Sequence, residues 1–131
     1  MATWEDVDRV ALALPEVVEA RAWGNRTWLV RKATLVWERP LRKADLEHLG
    51  DRAPRGEVLG IKVADEGVKQ ALVADDPEVF FTTPHFDGYP AVLCVLDRLD
   101  VGVLQELVTD AWLDKAPKRV VTEWRAGRPA T

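Results

Sequence analysis

The fold is decided by one stretch of sequence, Val17-Val-Glu-Ala-Arg-Ala-Trp-Gly-Asn-Arg-Thr-Trp-Leu-Val-Arg-Lys-Ala-Thr-Leu-Val-Trp-Glu38. It is rich in Val, Thr and Trp, which favour strands, and the pair Gly24-Asn25 is typical of a turn between two strands. A second break near Lys32-Ala33 divides the longer piece. The stretch therefore predicts strands over 17–23 and 26–38, the second of them folded back as a hairpin.

Helical signals surround this segment on both sides. Thr3, Asp65 and Asp100 each stand where an N-cap is expected, and Pro40 and Pro117 stand where a helix can begin. Glycines follow the second and last of these helices, as is common at helix C-termini. The sequence predicts helices over 4–13, 40–49, 65–74, 100–115 and 117–127, further strands over 58–64, 80–83 and 89–96, and a loose tail over 128–131. The third helix is expected to bury the stripe Val68, Ala71 and Leu72.

The order of these elements favours an α+β fold with an antiparallel β-sheet and helices packed mainly on one face. Strands outnumber the crossover helices that a parallel sheet would require. With 131 residues the chain has the usual length of one domain, and we expect a single domain over 1–131.

Composition limits where the protein works and what chemistry it can use. The chain has no serine, so a serine nucleophile is excluded, and it has no glycine-rich phosphate-binding loop. No stretch approaches the roughly 18 apolar residues of a membrane span, and the start of the chain does not resemble a signal peptide. The only cysteine, Cys94, lies in an apolar run and is expected in the core. We expect a cytoplasmic protein with no membrane partner.

Charge is distributed unevenly along the chain. The net charge is −4, yet the segment 21–43 holds seven basic residues against the single acid Glu38. These are Arg21, Arg26, Arg31, Lys32, Arg39, Arg42 and Lys43. Tryptophans lie between them, so the segment combines cations for phosphate with rings that can stack on bases. The alternative is that these cations protect exposed strand edges from aggregation.

The loop Phe81-Thr-Thr-Pro-His-Phe-Asp-Gly-Tyr-Pro90 is the most polar connection between apolar strands. In an extended chain His85 and Asp87 project to the same side, where the carboxylate could orient the imidazole. The alternative is a simple turn at Asp87-Gly88 with His85 exposed. The only other histidine is His48, which leaves too few ligands for a tight metal site, and we expect neither metal nor cofactor.

The segment Trp37-Glu-Arg-Pro40 ends the predicted hairpin with an aromatic, an acidic and a basic side chain. Arg39 is expected to be exposed, and its guanidinium suits a carboxylate or phosphate. Trp37 is expected in the core rather than as a platform for a ligand. Together with the polar loop, this segment gives a hypothetical ligand pocket formed by Trp37, Arg39, His85, Asp87 and Tyr89.

Several segments resemble the MmcQ/YjbR family. They are Leu14-Pro-Glu-Val17, Ala22-Trp-Gly24, Trp37-Glu-Arg-Pro40, Ala64-Asp-Glu-Gly67, Phe80-Phe-Thr-Thr-Pro-His-Phe-Asp-Gly-Tyr-Pro90 and the closing region from Trp112 to Pro117-Lys-Arg119. The resemblance implies a fold similar to the frataxin/CyaY type. It also implies the family's usual label, DNA binding through a double-wing arrangement, for which the candidates here are Arg21, Arg26, Arg31 and Lys32. It implies no catalytic motif.

Three hypotheses about function follow. The first, which the sequence favours narrowly, is a small DNA-binding or regulatory module. It would bind double-stranded DNA through the basic hairpin formed by the segment 21–43. The second is a small-molecule-binding or enzymatic domain built on the hypothetical pocket, with binding favoured over catalysis. The third is a protein-interaction domain.

Overall fold

The computed structural model describes residues 1–127, and the tail predicted over 128–131 lies outside the described residues. The helices are α1 (Trp4–Leu12), α2 (Lys43–Leu49), α3 (Glu66–Asp75), α4 (Val101–Lys115) and α5 (Lys118–Ala126). The strands are β1 (Val17–Ala22), β2 (Asn25–Val30), β3 (Ala33–Glu38), β4 (Val58–Lys62), β5 (Phe80–Phe81) and β6 (Ala91–Val95). The predicted order of helices and strands is confirmed.

All six strands form one sheet in the order β1-β2-β3-β4-β6-β5, and every neighbouring pair is antiparallel. Helices α1, α3, α4 and α5 contribute side chains to the main hydrophobic core on one face. Helix α2 instead contacts the 3-10 turn Pro84–Phe86. The predicted α+β fold, with an antiparallel sheet and helices mainly on one face, is therefore confirmed.

The predicted helix caps follow simple chemistry. Thr3 and Asp6 form a reciprocal capping box at the start of α1, and Asp65 and Asp100 accept backbone N–H bonds at the starts of α3 and α4. Helix α2 begins three residues later than Pro40, because the Asp45 carboxylate accepts the Arg42 N–H and fixes the first turn there.

Two tight turns connect the first three strands. The first is centred on Trp23 and Gly24 rather than on Gly24-Asn25, with φ of 56° and 80° at its two positions. Positive φ at both positions matches the twist of a two-residue hairpin, and this places Asn25 at the start of β2. The second turn is Arg31-Lys32, close to the predicted break. Because β2 runs between them, the two turns lie at opposite ends of that strand.

A β-bulge in β3 decides which residues face the core. Trp28 pairs with Val36 while Leu29 pairs with Thr34, so Leu35 is an extra residue in β3. Leu35 and Val36 are both fully buried in the main core. The inserted residue turns Trp37 to the opposite face. The expectation that Trp37 lies in the core is wrong for this reason, since Trp37 is only half-buried.

A second, smaller apolar cluster lies around Val58, Phe86, Ala91 and Leu93, and Trp37 packs against it. Cys94 is buried in the main core as expected, and burial raises the pKa of its thiol to about 12. None of the helices within residues 1–127 has the length and apolar character needed to cross a bilayer.

Candidate ligand-binding cleft

A cleft of about 860 Å³ opens between the β2–β3 hairpin, the segment 38–42 and the loop 85–89. This volume lies within the usual range of small-molecule sites. All five residues of the hypothetical pocket line it, namely Trp37, Arg39, His85, Asp87 and Tyr89. The structure thus brings together side chains from two separate segments of the sequence.

Trp37 forms part of the cleft wall, and Gly60 makes room for it. The two residues pair across β3 and β4. A Cβ atom at position 60 would lie 2.5 Å from the Trp37 Cε2 and Cζ2 atoms. The indole therefore rests directly on the glycine backbone, in a position that any larger residue would obstruct. One side of the ring is held by the sheet, and the half-buried ring lines the cleft.

Lys62, at the end of β4, places a cation in the cleft. Its ammonium lies 4.0 Å from the centroid of the Tyr89 ring and 6.0 Å from that of Trp37. Burial, and secondarily the charge of Lys115, lowers the pKa of the Lys62 ammonium. Within residues 1–127 no carboxylate forms a salt bridge with it. The cleft thus contains a partly desolvated cation held by aromatic rings.

Sequence reasoning missed Lys62, although one signal was available. Along β4 the buried apolar residues Leu59 and Ile61 alternate with Gly60 and Lys62. Side chains alternate between the two faces of a strand, so Gly60 and Lys62 belong on the same face. That alternation indicates a cation opposite the main core.

Arg39 is buried, with 5% of its surface exposed, so its predicted exposure is wrong. Its guanidinium donates to an Asp45 carboxylate oxygen at 3.0 Å and to the Pro40 carbonyl. It also stacks over the Phe86 ring at 5.3 Å. A buried arginine needs such partners, and here they connect β3, α2 and the polar loop. Arg39 therefore supports the wall of the cleft.

Asp45 is the counter-ion of this arrangement and is itself buried. Burial opposes ionisation of the carboxyl. The Arg42 N–H and the Arg39 guanidinium outweigh that effect and hold the pKa of Asp45 below its usual value. The pair is consequently ionised at neutral pH.

The polar loop does not have the extended conformation that sequence reasoning assumed for the His85-Asp87 pair. Pro84–Phe86 forms a 3-10 turn, and Gly88 has a φ of 75°. No hydrogen bond joins His85 to Asp87 in the part of the chain that the structure describes. His85 instead contacts the Phe86 ring edge-on at 4.9 Å between centroids, and it is exposed. The simpler alternative, a turn at Asp87-Gly88 with an exposed His85, describes the loop better.

Lys69, on α3, anchors this loop, and sequence reasoning did not identify it. The predicted stripe of α3 is wrong, because Val68 and Ala71 are exposed while Lys69 is only 1% exposed. Its ammonium donates to the carbonyl oxygens of Phe86 and Tyr89 and to the Glu66 carboxylate. The buried ammonium therefore holds both ends of the segment 86–89 against α3.

The predicted DNA-contacting residues do not form one free basic surface. Arg26 donates to Glu19 at 2.9 Å and to Asp8 at 3.2 Å, and Arg31 forms a salt bridge with Glu16. Arg21 and Lys32 are exposed and form no salt bridge within residues 1–127.

These four cations also divide into two groups. Arg21 and Arg26 lie opposite each other on β1 and β2, beside the first turn, whereas Arg31 and Lys32 form the second turn. At about 3.3 Å per strand residue, the two groups are roughly 17 Å apart along β2. In the described residues 1–127, the four predicted cations thus leave two without a salt bridge, Arg21 and Lys32, at opposite ends of β2 and not in a continuous basic patch.

Metal-binding groups do not converge in the described structure. Within residues 1–127, no group of three His, Cys, Asp or Glu side chains could hold a metal ion. His48 and His85 lie on different elements.

Comparison with models of known protein families identifies the family to which the chain belongs. The family model described as YjbR matches residues 12–113, which include the hairpin, the cleft and most of α4. The chain belongs to the YjbR family. The resemblance noted from the sequence segments is thereby confirmed.

Individual relatives agree with this assignment. The uncharacterized proteins Mb2600 of Mycobacterium bovis and Rv2570 of Mycobacterium tuberculosis are each 51% identical over 129 residues, covering 96% of this chain and 98% of the relative. The crystal structure of Deinococcus radiodurans protein DR2400, with a DUF419 domain, is similar with a TM-score of 0.68. It is 19% identical and the match covers 94% of this chain and 88% of that chain, so it supports the fold alone.

Proposed function

We propose that the protein is a small-molecule-binding module that takes a planar ligand carrying a carboxylate or phosphate into the cleft. The proposal rests on Lys62, a half-buried cation that lies 4.0 Å from the Tyr89 ring centroid and 6.0 Å from that of Trp37 and has no salt bridge with a carboxylate within residues 1–127. An anion would gain a charge-assisted bond there that water competes with only weakly. A cytoplasmic location suits a chain whose only cysteine is a buried free thiol.

The rest of the cleft supports a planar ligand. The Trp37 ring is held in place by Gly60, and Tyr89 is held through its carbonyl by Lys69. Rigid aromatic walls with a few polar groups are typical of ligand sites, because little ordering is required on binding. His85 and Asp87 show no hydrogen-bonded pairing, which favours binding over acid–base catalysis.

Four simple probes test charge and planarity separately by protein-observed NMR. Benzoate and phenyl phosphate are planar anions, benzamide is a planar neutral molecule, and cyclohexanecarboxylate is a non-aromatic anion. We expect the two planar anions to shift amide signals around the cleft most strongly. In a Lys62→Met variant, benzoate affinity should fall by at least about tenfold, since one charge-assisted bond is lost.

Lys43→Met is the matched control, because Lys43 is exposed on α2 and does not line the cleft. It makes the same change of charge and should leave benzoate binding unchanged. Equal loss in both variants, or binding of benzamide as tight as that of benzoate, would contradict the proposal.

The second candidate is DNA binding, which one observation favours. Trp23 is 97% exposed at the tip of the first hairpin, at a φ of 56° that few non-glycine residues adopt. An exposed ring beside the free cation Arg21 is the kind of group that contacts nucleic acid. The pairing of Arg26 and Arg31 with acids weakens this candidate relative to the cleft.

Fluorescence anisotropy of a labelled DNA duplex at several salt concentrations tests this candidate. Binding through the hairpin should weaken steeply with salt and be lost in an Arg21→Gln/Lys32→Gln variant, because both free cations are removed. Arg52→Gln/Arg55→Gln removes the same charge from exposed arginines outside the hairpin and should bind like the parent. Absence of binding at low salt, or binding insensitive to salt, would exclude DNA as the partner of this hairpin.

A further inference from the structure

Strand β1 is an unpartnered edge of the sheet. It is the first strand in the order, within residues 1–127 it pairs only with β2, and five of its six residues are exposed. Exposed edge strands present free N–H and C=O groups to other chains. Such an edge can therefore accept a further strand.

The tight first turn determines which backbone groups face outward. In a hairpin closed by Trp23 and Gly24, the flanking residue Ala22 bonds to Asn25, its partner in β2. Hydrogen bonding alternates along an antiparallel strand, so Ala20 and Val18 also bond inward. The N–H and C=O groups of Glu19 and Arg21 therefore point toward the free edge.

The side chains of these two residues carry opposite charges. Arg21 lies directly opposite Arg26 in β2, and this like-charge pair is unfavourable. Arg26 has Glu19 and Asp8 as its partners, whereas Arg21 has no salt bridge within residues 1–127. The edge thus presents one acid and one unpaired cation, two residues apart on the same face.

We propose that two copies of the chain associate through antiparallel pairing of their β1 strands, with Ala20 opposite Ala20 of the partner subunit. In this register Glu19 of each copy faces Arg21 of the partner subunit, twice by symmetry. The outward backbone groups of both residues meet as hydrogen-bonded pairs. Val18, which is 53% exposed, contacts Ala22 of the partner subunit on the other face.

The charges select this register over its neighbours. A shift by two residues in one direction places Glu19 opposite Glu19 of the partner subunit, and a shift in the other direction places the two copies of Arg21 opposite each other. Both alternatives juxtapose like charges, which costs stability. The edge therefore discourages general strand addition while fitting its own copy, and the resulting sheet carries both clefts on one face.

Sedimentation velocity over a concentration series tests the proposal. The parent chain should move from its 14.7 kDa monomer toward twice that mass as the concentration rises. Arg21→Glu places two acids opposite each other at both contacts, and the dimer dissociation constant should rise by at least about tenfold. This variant should still fold, because the new carboxylate at position 21 would lie opposite the Arg26 guanidinium in β2.

The reversed variants make the test specific. The Glu19→Arg variant alone should also be monomeric. A mixture of the Glu19→Arg and Arg21→Glu variants should form a heterodimer, because each acid again faces a cation. The double variant E19R/R21E should dimerise like the parent. Circular dichroism verifies that each variant is folded. A parent chain that remains monomeric at the highest concentration, or a dimer that Arg21→Glu does not weaken, would overturn the proposal.

Discussion

At the scale of single residues, the cleft depends on one missing side chain. Gly60 has ordinary strand geometry, so its role is to leave space for Trp37 and not to adopt an unusual φ. The β-bulge at Leu35 turns Trp37 onto the cleft face, and Gly60 then lets its ring lie flat on β4. Neither relation can be seen from propensities, because a bulge and a cross-strand partner become visible only when register is known.

Gly60→Ala should therefore disturb the cleft. The added methyl would lie 2.5 Å from the indole, so Trp37 must move. We expect a loss of about 1–3 kcal/mol in the free energy of unfolding, as for other overpacked sites, together with weaker benzoate binding. Urea unfolding and NMR titration measure the two effects. Gly127→Ala is the control, since its Cβ would be 3.5 Å from the nearest atom, and an equal loss in both variants would refute this account.

At the scale of elements, local signals predicted most of the helices and strands. Caps such as Thr3, Asp65 and Asp100 act within one turn of chain, so the sequence alone identifies them. Errors arose at α2, where a partner inside the first turn sets the start of the helix, and at α3, where a distant partner decides which residue is buried. Asp45 delays the start of α2, and the carbonyls of the polar loop draw Lys69 inward. In a helix with weak amphipathic character, contacts with other elements, and not the apolar stripe, decide which residues are buried.

The candidate site shows the same limit. The five residues of the hypothetical pocket line one cleft, but the reason given for Arg39 was wrong. Sequence reasoning treated its guanidinium as free to bind a ligand. In the structure it donates to the carboxylate of Asp45, six residues further along the chain. Lys62, a cation of the cleft with no salt bridge within residues 1–127, comes from a strand that carries no other polar side chain. Which of several cations remains unpaired depends on packing that no local pattern contains.

At the scale of the whole molecule, acids from one element neutralise bases from another. Asp8, Glu16 and Glu19 lie outside the basic segment 21–43, yet they pair with its arginines. Counting charge along the sequence therefore overestimates the charge of the folded hairpin. Hydrogen bonds with arginine hold the carboxyl pKa of Asp6, Glu16 and Glu19 below the usual values, and Lys69 does the same for Glu66.

These depressed pKa values make the protein sensitive to acid, and Asp45 should contribute most because it is buried. Its folded pKa is below the 3.8 of an unfolded aspartate, so its contribution to stability is complete well above 3.8 and is lost as pH falls through the folded pKa. Asp45→Asn should cost about 3 kcal/mol at neutral pH, since Arg39 loses its buried counter-ion. Urea unfolding across acid pH should show this difference shrinking toward zero. The exposed change Asp114→Asn should run parallel to the parent. A constant gap for Asp45→Asn would mean that the pair contributes through shape and not through charge.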